Sequence, residues 1–195
     1  MHKIEIPREE LIKHLEKGTV GAELGVGMGK FSKHIVTNME LKKLYCIDLW
    51  APISKHVQGP FYTDDEGFEE RYQSIKKDLE QYPIEVIRDL TYNAPNYIKE
   101  KELDWAYVDG DHTYDGCKKD LDAVDALVHD NGYIMGHDHT YKAKRNWGVI
   151  EAVREIVKEK GYIHSLVTVE RWPTYIVSKT PHAHEKLMAQ IKDLL

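Results

Sequence analysis

Three short segments hold most of the side chains that could do chemistry. Two are rich in carboxylate and imidazole: Asp109-Gly110-Asp111-His112-Thr113-Tyr114-Asp115 and Gly136-His137-Asp138-His139. Each follows an apolar run, so each belongs at the end of a β-strand. Oxygen and imidazole ligands at this density suit a divalent cation, Mg²⁺, Mn²⁺ or Ca²⁺ before Zn²⁺ or Fe²⁺. Without a cation, the same groups would make a hydrogen-bonded polar cluster. The third segment is Glu23-Leu24-Gly25-Val26-Gly27-Met28-Gly29. Its glycines let the backbone turn sharply and approach a ligand closely, and they leave the next helix free to offer its N–H groups.

The spacing of those glycines separates two kinds of nucleotide. A dinucleotide fingerprint needs a third glycine at position 30, where this chain has Lys30. A nicotinamide oxidoreductase is therefore the weaker alternative. Glu23, two positions before the first glycine, would repel a pyrophosphate. It suits the cationic sulfonium and amino groups of S-adenosylmethionine (SAM). Asp48, closing the second long strand, stands where a carboxylate accepts the ribose hydroxyls. Asp89, just past the third, is placed to meet the adenine edge. The expected SAM site is thus Glu23, Gly25, Gly27, Gly29, Asp48, Asp89 and Asp109.

The elements that must carry these residues alternate in kind. TVGAEL, LYCIDL, IEVI, DWAYVD and GYIMG read as strands, separated by segments with helical spacing such as Phe68, Tyr72, Ile75 and Leu79. Another helix is expected to include Trp147, Ile150, Val153 and Val157. HSLVTVE and TYIVS are joined by a short Arg-Trp-Pro link, which favours an antiparallel hairpin. The pattern predicts an α/β fold: a Rossmann-like, doubly wound, mostly parallel seven-stranded sheet with an antiparallel edge hairpin and helices on both faces. In such a sheet, neighbouring strand ends face one crevice, so the Asp/His clusters should meet there. Residues 1–195 read as one domain, with a helix within 1–18 opened by Pro7. The stretch 50–66 fits neither period and is a candidate lid or substrate loop.

Composition narrows the partners. The 195 residues carry a formal net charge of −6, with no long Lys/Arg run, which argues against a nucleic-acid partner. A small-molecule acceptor is expected. No stretch has the roughly 18–20 apolar residues of a membrane span, and no secretory leader is evident. Cys46 and Cys117 lie in apolar or helical patterns and read as reduced core thiols, hence a cytoplasmic location. A homodimer is the base-rate expectation.

GAELGVGMGKFS, CIDLW, YVDGDHTYDGCKKDLD and GYIMGHDH, in this order, resemble a small family of SAM-dependent O-methyltransferases that includes macrolide-sugar and cephalosporin-type enzymes. The resemblance spans about positions 19 to 140, and DGDHxY is its most specific part. It implies methyl transfer to a hydroxyl of a sugar, polyketide or phenol; nitrogen or carbon acceptors are the alternative. Related catechol-type enzymes hold Mg²⁺ with one Asp after the fourth strand and an Asp-Asn pair after the fifth. That pattern implies Asp109, Asp138 and His139 as ligands, with His137 replacing His139 if the register slips by one. It also implies His112 as general base, beside Asp109, where the catechol-type pattern has lysine.

Overall fold

The computed structural model describes residues 1–51, 64–141 and 147–195. The candidate loop 50–66 therefore lies mostly outside the described residues. The strands are β1 (His2–Ile4), β2 (Thr19–Leu24), β3 (Leu41–Asp48), β4 (Ile84–Arg88), β5 (Leu103–Val108), β6 (Val128–Gly136), β7 (Ile163–Thr168) and β8 (Tyr175–Ser178). They form one sheet in the order β1-β7-β8-β6-β5-β2-β3-β4. All pairings are parallel except those of β8, which runs antiparallel to both β6 and β7. The chain winds outward from β2 in both directions. The reversal of strand order between β2 and β5 opens a crevice at their carboxyl ends.

Helices α1 (Arg8–Leu11), α2 (Lys30–Asn38), α3 (Asp65–Leu79) and α6 (Pro181–Gln190) bury side chains on one face of the sheet, with Trp105, Tyr107 and Met135. Helices α4 (Tyr114–Leu127) and α5 (Val149–Lys160) pack on the other, against Ala106, Val108 and Ile134. Successive residues of β5 thus enter opposite cores, as the period of two in a strand requires. Gly21 makes room for one large occupant. A Cβ there would sit 2.2 Å from Trp105 Cζ2, so the indole lies across β2 and its Nε1 donates to Thr19 Oγ1 at 3.1 Å. Among the described residues, no helix is long and apolar enough to cross a membrane.

Three details differ from the sequence pattern. The N-terminal helix is a single α-turn followed by a 3₁₀ turn at Ile12–His14, although Leu11, Ile12 and Leu15 are buried as expected. An eighth strand, the three-residue β1, pairs in parallel with β7 and so flanks the hairpin. Helix α5 starts at Val149, leaving Trp147 before it. Its buried face is Val149, Ala152, Val153 and Ile156 rather than Ile150, Val153 and Val157. At both ends the buried face sits one residue earlier than the apolar pattern placed it, with Val153 shared.

Candidate active site

The glycine turn between β2 and α2 is held from both sides. Gly25, Gly27 and Gly29 all have left-handed backbone, with φ of 90°, 56° and 70°. At Gly25 the approach is closest: a Cβ would lie 2.1 Å from the carbonyl oxygen of Asp109. Asp48 Oδ2 accepts from Val26 N and Gly27 N, both at 2.8 Å, and its Oδ1 accepts from Trp50 N at 3.0 Å. Trp50 is buried and donates through Nε1 to Gly27 O at 3.1 Å. The Asp48 carboxylate is thus a clamp on the turn. Asp89 accepts from Leu90 N, Asn93 Nδ2 and Tyr97 OH. Those bonds, Asn93 first, lower its pKa.

Glu23 lies beneath the turn, 1% exposed, and accepts from Ser32 Oγ of α2. Burial pushes its carboxyl up to about 8. Burial there disfavours the charged carboxylate over the neutral acid.

The rest of the site stands on the ends of β5 and β6. Asp109 N donates to Leu24 O at 2.7 Å, which ties the β5 end to the β2 end. The Asp109 side chain meets three cations or potential cations. Its Oδ2 accepts from Arg8 Nη1 at 3.0 Å and lies 3.5 Å from His137 Nδ1, while Oδ1 is 3.3 Å from His112 Nε2. His112 Nε2 is also 3.1 Å from Asp138 Oδ2. Burial opposes ionisation of Asp109, but His112, His137 and Arg8 outweigh it and hold the carboxyl well below the usual range. Burial likewise opposes protonation of His137, yet Asp109 and Asp138 raise it to about 9. His112 is raised for the same reason: burial is outweighed by Asp109 and then Asp138.

Asp109, His137 and Asp138 each offer a ligand atom, all within 4.8 Å of one another. Two carboxylates and an imidazole in that space are chemically suited to a divalent cation. His139, expected in this set from the resemblance, is elsewhere. Its ring packs at 4.9 Å from His164 and 5.6 Å from Tyr175, and its buried Nε2 has no hydrogen-bond partner. The cause is local. Asp138 has a left-handed φ of 56°, so the chain turns there and the alternation of the strand does not continue past Gly136. His137, the one-residue alternative, is the imidazole brought to the carboxylates.

Two nearby residues escaped the sequence pattern. Arg8 reaches Asp109 across 101 positions. Trp147 meets the edge of the His112 ring at 4.9 Å and stands 5.5 Å from Trp172. The charged run Arg8-Glu9-Glu10 looks like a solvated helix face, so only the tertiary fold reveals Arg8. Thr113, inside the DGDHxY motif, caps α4 by accepting from Gly116 N at 3.1 Å.

A family model described as a methyltransferase domain, Methyltransf_24, matches residues 22–139, the span from the glycine turn to the end of the Asp/His clusters. The chain belongs to this family. It is a SAM-dependent methyltransferase. The methyltransferase is similar in fold to SMU.1697c of Streptococcus mutans, solved in complex with SAH, at 14% identity and a TM-score of 0.63, over 90% of this chain and 99% of that one. It is also similar to an rRNA methylase of Streptococcus thermophilus, at 14% identity and 0.59, over 88% and 93%. The B. subtilis m1A22 tRNA methyltransferase TrmK gives 12% and 0.59, over 92% and 68%. At such identities the likeness concerns the fold alone. No curated protein sequence matches the chain.

Proposed function

We propose that this methyltransferase, acting as one domain over residues 1–195, methylates a hydroxyl oxygen of a small molecule such as a sugar, polyketide or phenol. The observation that carries the reading is the position of His112 Nε2, 3.3 Å from Asp109 Oδ1 and 3.1 Å from Asp138 Oδ2. Two carboxylates around one imidazole make it a stronger base and stabilise the imidazolium that forms when it takes a proton. The acceptor oxygen attacks the SAM methyl carbon, the carbon–sulfur bond breaks, and the sulfonium leaves as a neutral thioether. The hydroxyl proton passes to His112. Alignment of the three atoms is the larger part of the task.

Glu23, Gly25, Gly27, Gly29, Asp48, Asp89 and Asp109 hold SAM in this reading. Asp109, His137 and Asp138 would hold a divalent cation, which when bound acidifies an acceptor hydroxyl. The net charge of −6 favours a small acceptor over the RNA named for some relatives in fold.

The test uses isotope-labelled SAM with a panel of catechol, sugar and polyketide alcohols, and the product is read by mass spectrometry. An O-methyl product is expected. His112→Gln should lower turnover about 100-fold or more, the usual worth of a general base. EDTA should reduce turnover and Mg²⁺ or Mn²⁺ restore it. Methyl groups found only on nitrogen or carbon, or near-normal turnover in His112→Gln, would sink the proposal.

A further inference from the structure

We infer that Arg8 binds the methionine carboxylate of SAM; the inference rests on SAM occupying the glycine turn. Its basis is a mismatch of charge. SAM brings two cationic groups, the sulfonium and the ammonium, and one anion, the carboxylate. Beside the turn stand Glu23 and Asp48, and beyond it, on the ends of β5 and β6, Asp109 and Asp138; this is an acidic set that suits the cations and leaves the anion without a partner. Among the described residues, Arg8 is the one arginine or lysine paired with any of these four acids.

Arg8 is also fixed in place. Its backbone N donates to Glu170 Oε1 at 3.1 Å, and its guanidinium lies 4.1 Å over the ring of Phe31 in the first turn of α2, directly after the glycines. The side chain is 18% exposed. Nη1 is committed to Asp109 Oδ2 at 3.0 Å and Tyr107 OH at 3.2 Å, and Nε lies 3.5 Å from Glu9 Oε1. A guanidinium has five N–H donors in a planar fork, and the pair on Nη2 donates to no described residue. One of those hydrogens can meet an oxygen of an incoming carboxylate. Arg8 would therefore bridge the acid at the end of β5 and the amino-acid tail of the cofactor, holding the methyl group's parent chain against the turn.

The test is calorimetric titration of the full chain with two probes: SAM, and decarboxylated SAM, which keeps the sulfonium and the amine. The wild type should prefer SAM by about 10- to 100-fold, the range of one charge-assisted hydrogen bond. Arg8→Gln should lose that preference by weakening SAM alone. Arg8→Lys, which keeps a charge to hold Asp109, should retain part of it. Equal loss for both probes in Arg8→Gln and Arg8→Lys would show a structural role and overturn the assignment, as would a wild type without preference. If the wild type bound neither probe, cofactor placement at the turn would fall together with Arg8.

Discussion

His137 and His139 stand two positions apart at the end of one strand, and the protein treats them as opposites. His137 faces Asp109 and Asp138, which together raise it to about 9 against the penalty of burial. His139 faces His164 and Tyr175, and burial with the neighbouring His164 lowers it to about 4. One imidazole sits between two acids that favour its protonated form. The other is a neutral ring inside an apolar and aromatic pocket. The left-handed turn at Asp138 divides the two, since it aims consecutive side chains at different environments. Histidine chemistry here is decided by what each ring faces, and a motif such as GHDH does not by itself say which ring faces the acids.

The sharpest way to break this contrast is to exchange the two rings' fates. His137→Gln should cost about 100-fold in methyl transfer, because it removes one of three grouped ligand atoms and a partner of Asp109. His139→Phe should keep turnover within about twofold and leave stability unchanged or slightly higher, since it replaces a buried nitrogen that has no partner. Measuring turnover and thermal midpoints of both variants side by side decides it. A collapse of activity in His139→Phe with retained activity in His137→Gln would reverse the assignment.

The same contrast explains how much was legible in the sequence. Strand-by-strand apolar runs gave the order of elements, and the Glu23–Gly29 spacing marked the left-handed turn between β2 and α2, because both signals are local. DGDHxY and GHDH marked the strand ends that meet. Periodicity ends where the strand ends, however, and a left-handed Asp138 cannot be read from alternation. Arg8 was hidden for a related reason: its role comes from a contact across 101 positions, while its neighbours Glu9 and Glu10 give it the look of a surface residue. The three-residue β1 is too short to show a period of two.

The acidic side of the contrast depends on close backbone approach, which the aromatic side does not need. Gly25→Ala would place a Cβ 2.1 Å from Asp109 O at a φ of 90°, so the β5 end must move away from β2. The expected cost is about 2–4 kcal/mol of stability from the left-handed backbone and the overpacking combined. Urea unfolding measures it. SAH affinity should fall with it, because the displaced Asp109 also anchors Arg8. An unchanged midpoint would mean that the turn is looser than its hydrogen bonds imply.

The smallest effect belongs to the aromatic side, and its sign is fixed by linkage. His164 is lowered from 6.5 to about 4, first by burial and then by the N-terminal ammonium and Arg154. Above pH 6.5 the ring is neutral in both folded and unfolded chains and contributes nothing to the pH dependence. As pH falls from 6.5 towards 4, the unfolded chain takes up a proton that the folded protein refuses, so stability is lost across that window. His139, with the same direction of shift, adds to the loss. His164→Phe should therefore flatten the acid limb of the thermal midpoint by a few degrees between pH 6.5 and pH 4.5. The midpoint at pH 8 should barely change. An acid limb as steep as that of the wild type would mean that the His139–His164 pocket admits the charged ring, and the two sides of the β6 end would differ less than their partners indicate.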